Sequence, residues 1–147
     1  MYPITYSHSF QYRPLMYLGL DGQVCFTSDL PALEVILRRN GVEYPCLALI
    51  DTGATFSLFS RQIGEVLGLS LPDGRREQLA TLGGASTAYA HTVELEIANG
   101  WSLRPIEVLF CEEDIQRNLL GRSDFLLHVQ LGLWEYTGTI YLKKASL

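Results

Sequence analysis

Hydrophobic and polar residues alternate along much of this chain with a period of two, the pattern of half-buried strands. The clearest run is residues 91–98, where Val93, Leu95 and Ile97 alternate with Thr92, Glu94 and Glu96. Its odd-numbered side chains are expected to face inward. Asn99-Gly100 turns this run into another over residues 101–110. Residues 33–37 and 42–50 flank Arg38-Arg39-Asn40-Gly41, and Asn-Gly tolerates the positive φ of a tight hairpin turn. An earlier pair, 16–20 and 23–27, surrounds Asp21-Gly22, and a last pair, 129–136 and 139–142, surrounds Thr137-Gly138. Helical spacing appears in two short places. Ser60 is placed to cap residues 61–67, with Ile63, Val66 and Leu67 on one face and Gly68 as the stop. Ser123 is placed to cap a second helix from Asp124 to about His128. Helices this short need a sheet to pack on. The pattern predicts a mostly-β, closed barrel-like domain over residues 31–147 with one or two short helices. Residues 1–30 are expected to be an N-terminal extension: an arm, a pro-segment or extra strands.

Composition narrows the class. A chain of 147 residues, 48% hydrophobic and 18% charged, has the makings of one globular domain. Charged residues usually make up about a quarter of a soluble domain, so a surface buried against another chain is expected here. A net charge of −5 argues against a nucleic-acid partner, which wants a basic face. No apolar run approaches the roughly 18 residues that cross a bilayer, and Met1-Tyr2-Pro3-Ile4 does not open a leader peptide. No membrane partner is expected, and the cytoplasm is the expected location. Cys25, Cys46 and Cys111 are odd in number and lack a CxxC pair. They read as buried, inert thiols in a reducing compartment, not as a disulfide framework or zinc site. His8, His91 and His128 are isolated, and Glu112-Glu113-Asp114 lacks the spacing of a calcium loop. No cofactor or metal is expected. Phosphate-loop, dinucleotide-binding and nucleophile-elbow motifs do not occur.

Three segments carry chemistry. In Leu49-Ile50-Asp51-Thr52-Gly53-Ala54 an apolar strand delivers an acid into a turn of small residues. Burying a lone carboxylate is costly, so a charge here needs a reason. Thr52 offers a hydroxyl, and Gly53 lets a backbone or ligand come close. By itself such a tripeptide also fits an ordinary turn after a strand. Downstream lies Asn118-Leu119-Leu120-Gly121-Arg122. Between the two, Thr81-Leu82-Gly83-Gly84-Ala85-Ser86 reads as a hairpin tip that can approach another backbone, or as a plain flexible turn.

Taken in this order, the acidic turn, the glycine hairpin and the apolar-apolar-Gly-Arg turn resemble the retropepsin-like aspartic proteases over most of the chain. The likeness is to the single-domain cellular and bacterial members. It implies an acid-protease fold with a flap, and Asp51 as the catalytic residue, supported by Thr52, Gly53, Ala54, Gly121 and Arg122. Leu82, Gly83, Gly84, Ala85, Thr55 and Leu120 are implied at the flap and substrate cleft. The chain holds one such Asp turn, so the resemblance implies a homodimer in which a second copy supplies the other Asp51. Two close carboxylates share a proton: one activates water and the other polarises the scissile carbonyl of a peptide or protein substrate. Thr52 of each copy would brace the other's turn. Two departures stand out. Retroviral members carry an Asp where this chain has Thr55, so Arg122 lacks that partner. The flap tip has no aromatic residue, and Tyr89 reads as a strand residue. A non-catalytic dimeric peptide- or protein-binding module on the same fold is the alternative.

Overall fold

The computed structural model describes residues 4–81 and 83–146, with side chains placed for all of these except residues 17, 18 and 24–27. Leu82, expected at the flap tip, and the Cys25 thiol therefore lie outside what is described.

The alternating pattern does form strands. β1 (His8–Gln11) is followed by a separate hairpin, β2 (Arg13–Leu18) and β3 (Val24–Leu30). Next comes the hairpin of β4 (Ala32–Arg39) and β5 (Val42–Ile50). Asn40 and Gly41 between them take φ of 51° and 79°, the left-handed pair that such a two-residue turn requires. A short β6 (Leu58–Phe59) leads into α1 (Arg61–Val66), whose cap is Ser60: its hydroxyl accepts the Ile63 N–H. β7 (Arg75–Thr81) and β8 (Gly84–Ile97) form a long hairpin, and β9 (Ser102–Cys111) runs back along β8. The chain closes with β10 (Asn118–Leu120), a 3-10 turn at Leu126–His128, and the hairpin of β11 (Val129–Trp134) and β12 (Thr139–Lys144).

The main sheet runs β4-β5-β10-β6-β9-β8-β7, and β4 also pairs with β8. The sheet thus closes on itself into a ring. Its interior is the core: Leu33, Val35 and Leu37 from β4, Leu95 and Ile97 from β8, and Val108 and Phe110 from β9 are all buried. Val93, Leu95 and Ile97 do face inward, as the alternation predicts. A second sheet, β1-β12-β11, packs Ile140 and Leu142 onto the same core. Residues 8–11 are therefore a strand of the folded body, and Tyr12 is buried with its hydroxyl donating to Glu135 at 2.8 Å. The β2–β3 hairpin pairs with no other strand.

Both helix expectations need correcting. On α1 Ile63 and Leu67 are buried, but Val66 is 46% exposed and does not share their face. The helix from Asp124 to His128 capped by Ser123 is replaced by a 3-10 turn over Leu126–His128 only. The physical reason is competition for the polar side chains. The Ser123 hydroxyl donates to the Thr55 carbonyl at 2.8 Å, and Asp124 turns into the core to meet Ser57.

Candidate active site

Strand β5 ends at Ile50 and hands the chain directly to Asp51, whose following residues line two grooves. The local geometry follows from backbone pairing. β10 lies between β5 and β6, parallel to the first and antiparallel to the second, with Leu120 opposite Ile50. The Asp51 N–H donates to the Leu120 carbonyl at 3.0 Å, extending that ladder by one residue. The chain then turns: Asp51 Oδ1 accepts the Gly53 N–H at 2.9 Å, and the Asp51 carbonyl accepts the Ala54 N–H at 3.1 Å. Asp51 is half-buried, while Thr52, Gly53 and Thr55 are exposed. The carboxylate is thus held by its own turn through Oδ1.

The second turn is laced to the first. The Ala54 carbonyl accepts the Arg122 N–H at 3.0 Å, and the Thr55 carbonyl accepts both the Ser123 N–H and its hydroxyl at 2.8 Å. Gly121 is fixed by contact distance: a Cβ there would lie 2.4 Å from the Phe56 carbonyl carbon and 2.5 Å from its oxygen. No side chain fits.

Beneath both turns sits a buried polar pair that sequence reasoning left out. Ser57, fully buried, donates its hydroxyl to Asp124 Oδ1 at 2.6 Å, and its N–H to Asp124 Oδ2 at 2.7 Å. The same hydroxyl accepts the Gly121 N–H at 2.9 Å. The pair thus ties the segment after Asp51 to the segment after Leu120 through the core. Asn118 adds a third tie, accepting the Ser60 N–H at 3.0 Å and donating to the Leu47 carbonyl at 3.1 Å. The signal was present but oblique. Ser57 is a lone polar residue in Phe56-Ser57-Leu58-Phe59, and Asp124 stands beside Phe125-Leu126-Leu127. A polar group set in an apolar run needs a buried partner.

Two grooves flank the turn. One, of about 460 Å³, is walled by Gly53, Ala54, Thr55 and Phe56 on one side and by Leu79, Ala80 and Thr81 of β7 on the other. Leu58 and Leu119 add apolar surface. Leu120, expected on this wall, is instead wholly buried in the core, because side chains alternate along β10 and its neighbour Leu119 takes the groove side. Gly83, Gly84 and Ala85 are exposed at the tip of the β7–β8 hairpin, and Gly84 takes φ of 119°. Lower in the hairpin Ala88, Ala90 and Leu109 are buried, and Phe56, Leu58 and Leu79 pack against them. The other groove is lined by Thr52, Thr55, Arg122, Ser123, Leu126 and Leu127. Among the described residues no acidic side chain pairs with Arg122 there.

The remaining titratable groups stand apart. The His91 ring meets the Leu71 carbonyl at 3.0 Å and packs edge-on to Phe110, a structural role. Tyr89 lies in β8 and donates its hydroxyl to Glu112 at 3.2 Å. Cys46 and Cys111 are free thiols, pushed up to about 12 and about 11 by burial. Among the described residues no cluster of His, Cys, Asp or Glu is arranged to hold a metal. No helix in the described residues is long and apolar enough to cross a membrane.

A family model described as aspartyl protease matches residues 35–123, a span that holds the Asp51 turn, the β7–β8 hairpin and Gly121. The chain belongs to the aspartyl protease family. Among solved structures, a retropepsin-like aspartic protease from Rickettsia conorii superposes with a TM-score of 0.59 at 17% identity, covering 92% of this chain and 98% of its own. That likeness establishes the retropepsin-like fold of this aspartyl protease family member. The EIAV protease bound to the inhibitor HBY-793 also matches, with a TM-score of 0.49, 23% identity, and coverage of 65% of this chain and 84% of its own. No curated protein matches the chain in sequence.

Proposed function

We propose that this chain is an aspartic endopeptidase that hydrolyses extended polypeptides as a homodimer. The observation that carries the reading is the Asp51 turn. Asp51 stands at the end of a core strand, its carboxylate held by its own turn and its N–H by the Leu120 carbonyl, and the residues that follow it line a groove whose other wall is the hairpin strand Arg75–Thr81. Such rigidity pre-organises a charge without later reorganisation.

One chain presents one such carboxylate, and the other Asp51 comes from a second copy. Two carboxylates held this close cannot both ionise, so the pair shares one proton. The ionised member takes a proton from the water between them as it attacks the scissile carbonyl, and the protonated member hydrogen-bonds the carbonyl oxygen. The tetrahedral adduct then collapses with proton transfer to the leaving nitrogen, with no covalent enzyme intermediate. Thr52 follows Asp51 on the exposed rim, where it meets its counterpart and braces the two turns. Gly53 and Ala54 form the floor, and Gly121 and Arg122 the supporting turn. The flap residues Leu82, Gly83, Gly84 and Ala85 close over the substrate backbone, which adds to the flap as an extra strand. Phe56, Leu58, Leu79 and Leu119 suit apolar substrate side chains. Free Cys46 and Cys111 fit a reducing compartment, the cytoplasm.

Replacing Asp51 with Asn tests the reading. Cleavage of a peptide library should fall by at least about a thousandfold, the scale expected when a group central to the transition state is lost, while circular dichroism and dimer content stay unchanged. Undiminished proteolysis by that variant would overturn the assignment. Peptide binding without cleavage by the native chain across pH 3–8 would favour the binding module.

A further inference from the structure

The proposed mechanism leaves the β2–β3 hairpin idle. Arg13–Leu18 and Val24–Leu30 pair in register from Arg13 opposite Leu30 to Leu18 opposite Val24. Among the described residues neither strand joins another sheet. Among the described side chains, one ion pair ties the hairpin to the body, Arg13 to Glu34 at 3.6 Å, and it lies at the root. Two-stranded hairpins are marginal in water unless something covers them.

This hairpin is also apolar in sequence. Residues 13–30 include Leu15, Met16, Tyr17, Leu18, Leu20, Val24, Cys25, Phe26 and Leu30 against the charges Arg13, Asp21 and Asp29. Met16 is 61% exposed, and Leu20, at the turn, is fully exposed. A loop tip meant for water carries polar residues; here the turn begins with leucine. The root fixes where the hairpin leaves the body. Pro31, the residue after β3, accepts the Ile50 N–H at 2.9 Å, and the next residue after Ile50 is Asp51. The hairpin therefore departs at the level of the catalytic turn. Six paired residues at about 3.3 Å each give it a reach of roughly 20 Å.

We infer that the β2–β3 hairpin is an arm that packs on the second copy of this chain. The inference rests on the homodimer proposed above and names a contact that reading does not contain. If two Asp51 side chains share a proton, the partner's turn lies within a few ångströms of this one, so a segment leaving the body beside Ile50 has the partner's surface within reach. Symmetry then requires two arms, each laid on the opposite copy. Such an exchange covers the exposed Met16 and Leu20. It also accounts for a chain with fewer charges than a soluble monomer carries.

The test uses the full-length chain and three variants. One replaces residues 14–29 with a short Gly-Ser link, leaving Arg13 and Leu30 in place; the others are Met16→Glu and Leu20→Glu. Dimer dissociation is measured by sedimentation over a dilution series, and folding by far-ultraviolet circular dichroism. A photo-cross-linking residue at position 20, in a mixture of isotopically light and heavy chains, reports what the tip touches. The expected results are a dimer at least about tenfold weaker in the deletion and in one or both point variants, with unchanged dichroism outside the hairpin, and light–heavy cross-linked peptides. Dissociation within twofold of native for all three variants, or cross-links confined to a single chain, overturns the arm while leaving the dimer intact. Unchanged dissociation with a raised KM would reassign the hairpin to the substrate cleft and likewise overturn it. A native chain that remains monomeric at every concentration overturns the dimer itself, and the arm with it.

Discussion

Replacing Ser57 with Ala tests how the two turns are held together. The substitution removes one oxygen from a fully buried site, where that oxygen serves two partners. The Gly121 N–H, which it accepts at 2.9 Å, is left without a partner. So is Asp124 Oδ1, which it satisfies at 2.6 Å, while Oδ2 keeps the Ser57 N–H at 2.7 Å. An orphaned buried polar group costs about 1–3 kcal/mol, and more when charged. Two orphans, one on a carboxylate, bring the expected loss to roughly 3–5 kcal/mol. Asp124→Asn should lose only about 1 kcal/mol, because its carbonyl oxygen still accepts the Ser57 N–H. The decisive member is the double variant Ser57→Ala with Asp124→Ala. Removing the stranded carboxylate relieves part of the penalty, so the double variant should fall well short of the sum of the two single ones. Urea unfolding at several protein concentrations, which separates folding from association, supplies the numbers. Ser57→Ala within about 0.5 kcal/mol of native, or strict additivity in the double variant, would refute this account of the pair.

Two further outcomes follow from features of the site and the core. Gly121→Ala should fail to form an active enzyme or cost more than the roughly 1–3 kcal/mol of ordinary overpacking, because its Cβ would meet Phe56 backbone at 2.4 Å and not a movable side chain; thermal unfolding alongside a cleavage assay reads both. In a Cys25→Ser background, Cys46 and Cys111 should react with a thiol reagent at pH 8 only after denaturation, since burial pushes them up to about 12 and about 11. Because both folded values lie above the ordinary 9.0, the native state holds its protons longer, and the stability these thiols contribute is lost as pH rises from about 9 towards 12. Native-state labelling at pH 8, or stability rising across that alkaline window, would contradict this.

Much of the fold was legible because its cues were local. Alternation over residues 92–97 fixed which side chains enter the core, and Asn40-Gly41 fixed one hairpin with the bounds of β5 as observed. The Asp51 turn was legible for the same reason, as an acid where an apolar strand gives way to small residues. What escaped depends on partners distant in sequence. Ser57 and Asp124 lie 67 positions apart, and neither looks like a site residue until the other is beside it. The same pairing drew Asp124 inward and replaced the expected helix with a short 3-10 turn. Leu119 took the groove place expected of Leu120 because strand β10 is only three residues long, too short for its alternation to be read before its neighbours were known. The 1–30 segment divided for a similar reason: β1 finds its partner at Thr139–Lys144, at the far end of the chain.

The insertion of β10 between β5 and β6 also sets an order of events in the life of the polypeptide. Asp51 is translated early, yet the strand that receives its N–H, and the Asp124 carboxylate that anchors the turn below, emerge some 70 residues later. Closure across so long an intervening loop is slow and comes near the end of folding. A nascent chain therefore carries Asp51 without a formed cradle, and the turn that holds it takes shape only after nearly the whole domain has been made.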